Sequence, residues 1–171
     1  MTASAVVRPP PGDGRAVITG LFAAVALLSF GAVLVALVSQ HAFAMEPCPW
    51  CVLQRLIFVA IGVFALLGLV WRGPAGGRVA GTFALLLALA GIAAALWQQF
   101  VAAKSASCNL TLADRIVSAS QLDRLLPDVF EARASCADAA VSLLGVPYAY
   151  WAAAVFALCA IALLRILYLS A

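Results

Sequence analysis

The chain has 171 residues, of which 66% are hydrophobic and 10% charged, with a formal net charge of +3. Soluble domains carry about 25% charged residues, so a water-soluble fold is excluded. The basic residues are scattered and form no run suited to nucleic acid. Because a bilayer span needs about 20 apolar residues and the chain contains such runs, the composition predicts an integral membrane protein with a single domain.

Four apolar runs follow a tail that is rich in Pro and Gly. The predicted spans are residues 17–38, 49–71, 79–101 and 147–169. The strictly apolar part of the second run is short, so its span is extended back to Pro49 to reach bilayer length. The sequence predicts an all-α, antiparallel four-helix transmembrane bundle. Its tail and connections are residues 1–16, 39–48, 72–78 and 102–146.

The arginines predict the orientation of the bundle. Short cytoplasmic loops carry an excess of Lys and Arg. The basic residues in the tail, in the Gly/Pro turn at 72–78 and near the C-terminus are Arg8, Arg15, Arg72, Arg78 and Arg165. Four spans put these places on one side, so both termini are predicted to be cytoplasmic. Residues 39–48 and 102–146 then form two outward-facing loops.

A cleavable signal peptide is the alternative interpretation of the first run. The run follows two arginines, and the segment HAFA at residues 41–44 ends in an Ala-x-Ala pattern. The apolar region of a signal peptide has about 7–15 residues. The first run is longer, which favours a span that is retained.

The long loop contains a candidate amphipathic helix. Between residues 112 and 129, apolar side chains recur at roughly helical spacing among Asp and Arg. Such a helix lies either on the membrane surface or against the ends of the spans. The pattern leaves both arrangements open.

The cysteines fall into two groups. Cys48, Cys51, Cys108 and Cys136 lie near span ends or in the polar stretch, on the side predicted to face outward. Disulfides persist in such oxidising compartments. Cys159 lies inside an apolar run and is predicted to be a core residue. The arrangement suggests two disulfides and one bystander.

The stretch MEPCPWCVLQRL puts a Cys-x-x-Cys pair at the mouth of the second span. Pro49 suits the first position of a helix, which makes Cys48 the N-cap and Cys51 the third helical residue. The positive end of a helix favours a thiolate. Arg55 lies four residues after Cys51 and shares its face. It either serves the site or reaches out to lipid phosphate.

A Cys-x-x-Cys pair alone also fits half of a zinc site. The chain has no second Cys-x-x-Cys and a single histidine, His41. Val52 follows the second cysteine, where a c-type haem needs histidine. The spacing therefore disfavours zinc, and no metal is predicted.

The segment PCPWCVLQR, residues 47–55, resembles the Pro-Cys-x-x-Cys-x-x-x-Arg element of the bacterial DsbB family, the quinone-linked membrane disulfide oxidases. The resemblance covers nearly the whole chain, including the four spans, both loop cysteine pairs and Trp151, fifteen residues after Cys136. It implies an inner-membrane enzyme with periplasmic loops. Such an enzyme reoxidises a periplasmic thioredoxin-like, DsbA-like dithiol oxidase and passes two electrons to ubiquinone or menaquinone.

The resemblance also implies roles at the quinone. Cys48 and Cys51 form the quinone-coupled pair, Cys51 faces the quinone, and Arg55 helps to bind it. Gln99, nine residues before Cys108, matches a glutamine near the quinone site of some members. Many members carry a histidine four residues before that glutamine. This chain has Ala95 there, which puts a quinone contact at that position in doubt.

The second pair has a different implied role. Cys108 and Cys136 receive electrons from the thioredoxin-like partner, and Cys108 is attacked first. Two other classes of protein compete with this interpretation. In one, the disulfides of a four-helix membrane protein are only structural. The other is a vitamin-K-epoxide-reductase-like enzyme, in which the Cys-x-x-Cys lies near a later span; here it precedes the second span.

Overall fold

Helices make up most of the computed structural model, which describes residues 11–71, 74–104 and 112–170. The predicted catalytic residue Cys108, Arg72 and most of the N-terminal tail lie outside these residues. In chain order the elements are α1 (Pro11–Phe43), α2 (Pro49–Val70), α3 (Pro74–Phe100), a 3₁₀ turn (Ala102–Lys104), α4 (Leu112–Ser120), α5 (Leu122–Leu125), α6 (Pro127–Phe130), β1 (Ser142–Leu143), β2 (Val146–Pro147) and α7 (Tyr148–Ser170).

Four of these helices are long and apolar enough to cross a membrane. The candidate spans are Gly14–Phe43, Pro49–Val70, Ala75–Lys104 and Tyr148–Ser170. α1 packs against α2 and α7, and α3 packs against the same two helices. The predicted fold class, an all-α four-helix transmembrane bundle, is confirmed.

α1 extends beyond residue 38, the predicted end of the first span, and takes in part of the predicted short loop. The polar residues there bond within the helix: Ser39 Oγ donates to the Val35 carbonyl at 2.9 Å, and His41 Nδ1 lies 2.9 Å from the Leu37 carbonyl oxygen. The helix ends before Ala44, whose φ of 52° is left-handed. The connection to α2 is therefore shorter than the sequence suggested.

The start of α2 follows the predicted capping pattern. Cys48 is the N-cap, with extended backbone, and its Sγ accepts a hydrogen bond from the Cys51 N–H at 3.3 Å. Pro49 occupies the first helical position, where its missing N–H costs nothing. The cap places both cysteines at the mouth of the helix.

Aromatic packing joins α2, α3 and α7 beside the site. The rings of Phe58 and Phe156 stack with centroids 3.8 Å apart. Gly91 of α3 leaves room for Phe156, because a Cβ at that glycine would collide with the ring. Close approach through small residues is typical of membrane helices.

The long loop returns to the mouth of α2. α4 packs against α2 and buries Ala113 and Val117, so this amphipathic helix lies against the end of a span. Leu112 and Ile116 remain exposed on it. The packed arrangement is one of the two that the sequence left open.

A two-residue hairpin connects the loop to α7. β1 and β2 pair antiparallel, and both residues of the turn, Leu144 and Gly145, have positive φ. Positive φ at both positions matches the type I′ turn that suits two-residue hairpins. The Trp151 indole N–H donates to the Leu143 carbonyl at 3.3 Å, which holds the hairpin over the start of α7.

Candidate functional site

Three of the four predicted catalytic cysteines meet at the N-terminus of α2. The Sγ atoms of Cys48 and Cys51 are 2.8 Å apart. The thiol of Cys136, from the long loop, lies within hydrogen-bonding distance of Cys48. Cys48 is fully buried and Cys136 is 9% exposed. Cys48 therefore lies between the loop cysteine and Cys51.

Backbone hydrogen bonds hold the Cys136 segment in this place. The carbonyl of Pro47 accepts from the Arg133 N–H at 2.9 Å and from the Ala134 N–H at 3.2 Å. The Arg133 side chain also contacts Asp128 and Glu131, but these exposed ion pairs contribute little. The segment is thus attached to the residue that immediately precedes Cys48.

The two loop-side thiols differ in acidity. Hydrogen bonding to Cys136 raises the pKa of Cys48, and the contact with Cys51 and burial raise it further. The same bond from Cys48 lowers the pKa of Cys136, and the backbone N–H of Trp50 lowers it further. Cys136 is therefore the better thiolate of this pair, and Cys48 is the neutral sulfur beside it.

A cavity of about 390 Å³ opens on the other side of Cys51, between α1, α2 and α7. Its walls are mainly apolar, with side chains such as Val35, Phe58 and Val155. Cys51 and Arg55 line it together from one face of α2, as their spacing predicted. Residues 139–143 of the loop cover one part of it, at Ala139, Val141 and Leu143.

Arg55 is buried and makes hydrogen bonds to two other helices, α1 and α6. Its Nη1 donates to Gln40 Oε1 at 2.7 Å and to the Val129 carbonyl at 3.0 Å, and its Nη2 donates to the Ala36 carbonyl at 3.3 Å. Only 5% of the residue is exposed. The guanidinium therefore faces protein partners, which disfavours the alternative of a lipid anchor. Sequence reasoning missed Gln40, whose Nε2 also donates to the Asp128 carbonyl at 3.3 Å.

The glutamine beside Cys51 is Gln98, which the sequence analysis did not select. Gln98 Nε2 donates to Cys51 Sγ at 3.1 Å, and Gln54 Nε2 donates to Gln98 Oε1 at 2.5 Å. Both glutamines are buried and line the cavity. Gln99 is half-buried and does not line it, so its assignment as a quinone contact stays a prediction that this cavity does not support.

Helical periodicity could have found Gln98. The buried face of α3 consists of small residues with helical spacing, and Gln98 continues it. The members of that face are Ala84, Ala88, Gly91, Ala95 and Gln98. Gln99 is one residue further along α3, which is about 100° around the helix, and so lies outside this face.

Cys159 lies apart from the three other described cysteines. It is fully buried, and its Sγ is 3.9 Å from Ser29 Oγ inside the bundle. This placement agrees with its predicted role as a core residue.

The fold and the site together define a four-helix membrane protein with a dithiol at the mouth of its second span and a third cysteine beside it. The model of the family described as Disulfide bond formation protein DsbB matches residues 18–166. The chain belongs to the DsbB family, as the resemblance of residues 47–55 indicated. It is a multi-pass membrane protein of disulfide bond formation, with the disulfide-forming oxidoreductase activity that the family implies.

Relatives named disulfide bond formation protein B support this assignment. The protein of Aromatoleum aromaticum is 39% identical over 142 residues, which are 80% of this chain and 82% of the relative. That of Ralstonia nicotianae is 35% identical over 76% of this chain and 81% of its own. That of an Azoarcus species is 34% identical over 92% and 95%. No solved structure matches the chain significantly.

Proposed function

We propose that this protein reoxidises a periplasmic thioredoxin-like, DsbA-like dithiol oxidase and passes the two electrons to a quinone of the inner membrane, ubiquinone or menaquinone. The observation that carries the proposal is the line of sulfurs from Cys136 through Cys48 to Cys51, which ends at the apolar cavity. Such a line connects a loop that a soluble partner can reach with a site that a lipid-soluble acceptor can enter.

The first exchange takes place in the long loop. A thiolate of the reduced partner attacks Cys108 of the Cys108–Cys136 disulfide and forms a mixed disulfide. The partner's second thiol then attacks the partner sulfur that is bonded to Cys108. The partner leaves with its disulfide formed, and Cys108 and Cys136 are both reduced. Cys108 lies outside the described residues, so the support for this step is the resemblance to the DsbB family.

The second exchange takes place at the mouth of α2. The Cys136 thiolate attacks Cys48 Sγ, a Cys136–Cys48 bond forms, and Cys51 leaves as a thiolate beside the cavity. Cys108 then attacks Cys136, which restores the loop disulfide and releases the thiol of Cys48. The Cys48 thiol that lowers the pKa of Cys136 in the reduced protein has no proton to donate in this step, but the Trp50 N–H, which also lowers that pKa, remains to stabilise the attacking Cys136 thiolate.

The cavity has the features that a quinone head group needs. Its volume of about 390 Å³ falls in the range of small-molecule sites, about 300–1,000 Å³. Apolar walls suit the ring, while Arg55 and Gln98 bring hydrogen-bond donors for its oxygens. A bound quinone would supply a two-electron, two-proton acceptor, with which the Cys48 and Cys51 thiols would close to a disulfide. Arg55 stabilises negative charge at that end of the cavity.

The experiment is quinone reduction by a reduced DsbA-like protein, catalysed by the purified protein in detergent. We expect turnover with the wild type and with Cys159→Ala, which removes a thiol that is buried away from the site. Cys51→Ala should abolish turnover. If the wild type reduces neither ubiquinone nor menaquinone and exchanges slowly with the reduced partner, its disulfides are structural and the proposal fails.

A further inference from the structure

The side chains of Gln54 and Gln98 form a chain of two amides that ends on the Cys51 sulfur. Gln54 Nε2 donates to Gln98 Oε1 at 2.5 Å, and Gln98 Nε2 donates to Cys51 Sγ at 3.1 Å. The chain joins α2 to α3, across 44 residues of sequence. Gln54 and Gln98 are only 5% and 6% exposed, so both amides are largely shielded from solvent.

The direction of these hydrogen bonds suits an anionic sulfur. A glutamine amide has a donor side and an acceptor side. Because Gln54 donates to the oxygen of Gln98, the NH₂ group of Gln98 is directed at Cys51. A reversed Gln98 amide would turn its carbonyl oxygen toward the sulfur. A carbonyl oxygen and a thiolate are both acceptors, so no hydrogen bond could form between them. Gln54 therefore fixes which side of Gln98 the sulfur meets.

A donor at this point matters because Cys51 is the leaving group of the second exchange. When Cys136 attacks Cys48, the Cys48–Cys51 bond breaks and its electron pair goes to Cys51. A partly buried thiolate without a donor is costly, since hydrogen bonds to charged groups contribute about 1.5–3 kcal/mol. Gln98 supplies such a donor from a helix that carries no cysteine.

We propose that Gln98 is a catalytic residue that stabilises the Cys51 thiolate, and that Gln54 is a positioning residue that orients its amide. The identity of Cys51 as the electron donor to quinone rests on the proposed function above. The stabilisation of the Cys51 thiolate itself requires neither quinone nor partner, so it can be measured without them.

Other charged and titratable groups near Cys51 must be held constant in the test. Cys48 adjoins it and is in turn bonded to Cys136, Arg55 lies one helical turn along α2, and Glu46 and Tyr148 line the same cavity. The residues that α1 and α3 contribute to the cavity lining are uncharged. Substitutions at Gln54 and Gln98 leave all of these groups in place.

The test is the rate at which iodoacetamide alkylates Cys51 in the fully reduced, full-length protein in detergent, with each cysteine followed by peptide mass spectrometry. At pH 7, Gln98→Leu should slow alkylation of Cys51 about tenfold, because a charge-assisted hydrogen bond is lost. Gln98→Glu, which keeps the shape but replaces the donor with a carboxylate, should slow it more. Gln54→Leu should slow it less, since the donor remains but loses its orientation.

At about pH 10, above the ordinary thiol pKa of about 8.5, the rates of these variants should approach that of the wild type. The matched control is Gln99→Leu, one residue along α3 and outside the cavity lining, which should leave the alkylation of Cys51 unchanged. An unchanged rate in Gln98→Leu and Gln98→Glu at pH 7 would overturn the proposal. So would a slowing that persists at high pH, because it would reflect lost access to the sulfur. The alkylation rates depend on neither quinone nor partner. A failure of quinone reduction would therefore contradict the proposed function but not the role of Gln98 at Cys51.

Discussion

The first turn of α2 has backbone N–H groups that the helix itself cannot use, and two of them are directed at sulfur. The N–H of Cys51 donates to Cys48, and the N–H of Trp50 donates to Cys136. Pro49 has no N–H to place. Free donors at a helix N-terminus stabilise negative charge. The N-terminus of one helix thus supplies hydrogen bonds to cysteines from two parts of the chain.

This arrangement predicts how Cys136 titrates. In the reduced protein, a lowered pKa keeps Cys136 a thiolate at pH values where an ordinary thiol is protonated. Cys48→Ala removes the main donor, so the pH midpoint for alkylation of Cys136 should rise toward the ordinary thiol value. Cys48→Ser keeps a donor at the same place and should preserve most of the lowering. Equal midpoints in the Ala variant and the wild type would contradict this account of the pKa of Cys136.

At the scale of elements, Arg55 connects α1, α2 and α6. Its guanidinium bonds Gln40 and the Ala36 carbonyl of α1 and the Val129 carbonyl of α6. Gln40 adds a second bond to α6, at the Asp128 carbonyl. The segment that follows α6 carries Cys136. The side chain that lines the cavity therefore also holds the loop that carries Cys136.

Gln40→Leu tests this connection without removing the guanidinium. The change leaves an amide-sized apolar side chain and two unpaired polar groups, which costs about 1–3 kcal/mol. Hydrogen exchange of the backbone in residues 127–136 should become about tenfold faster or more, because the segment opens more readily. Reduction of the Cys48–Cys51 disulfide by Cys136 should slow as well.

The matched control for this prediction is His41→Ala, the neighbouring residue, which is exposed and bonds only within α1. It should leave exchange in residues 127–136 as in the wild type. If Gln40→Leu also left exchange there unchanged, the bonds to α6 would not hold the loop. Arg55→Leu should disturb both the loop and the apparent KM for quinone, whereas Gln40→Leu should act mainly on the loop.

At the scale of the whole molecule, four spans cross the membrane an even number of times. The segment before the first span and the segment after the last one therefore lie on the same side of the membrane. The scattered arginines favour the cytoplasm for that side. The site then lies at the opposite face of the bundle, where the Cys136 segment and α4 pack over α2. We expect an inner-membrane protein with the sulfurs at the periplasmic face.

Topology can be tested by single cysteines in a background without native thiols. Ala75→Cys, near the start of α3, should react with a membrane-impermeant maleimide only from the cytoplasmic side. Ser120→Cys, exposed at the end of α4, should react only from the periplasmic side. Labelling of both positions from the same side would contradict the four-span arrangement.

The sequence by itself determined the class of this protein. Long apolar runs require a membrane, and four of them give the bundle, because only that environment hides so much apolar surface. It also determined the start of α2 and the shared face of Cys51 and Arg55, because capping and helical spacing depend on residues within one turn. The motif at residues 47–55 indicated the family for the same reason, since its residues are adjacent in sequence.

Only the tertiary structure decided which distant residues complete the site. In the structure, Gln98 and not Gln99 contacts Cys51, and Cys136 lies against Cys48. Gln40 contacts both Arg55 and α6. These contacts join positions as far apart as the 44 residues between Gln54 and Gln98 and the 88 between Gln40 and Asp128. Local spacing carries no information about such pairs, because the rotation of each helix and the path of the loop are set by packing across the whole bundle.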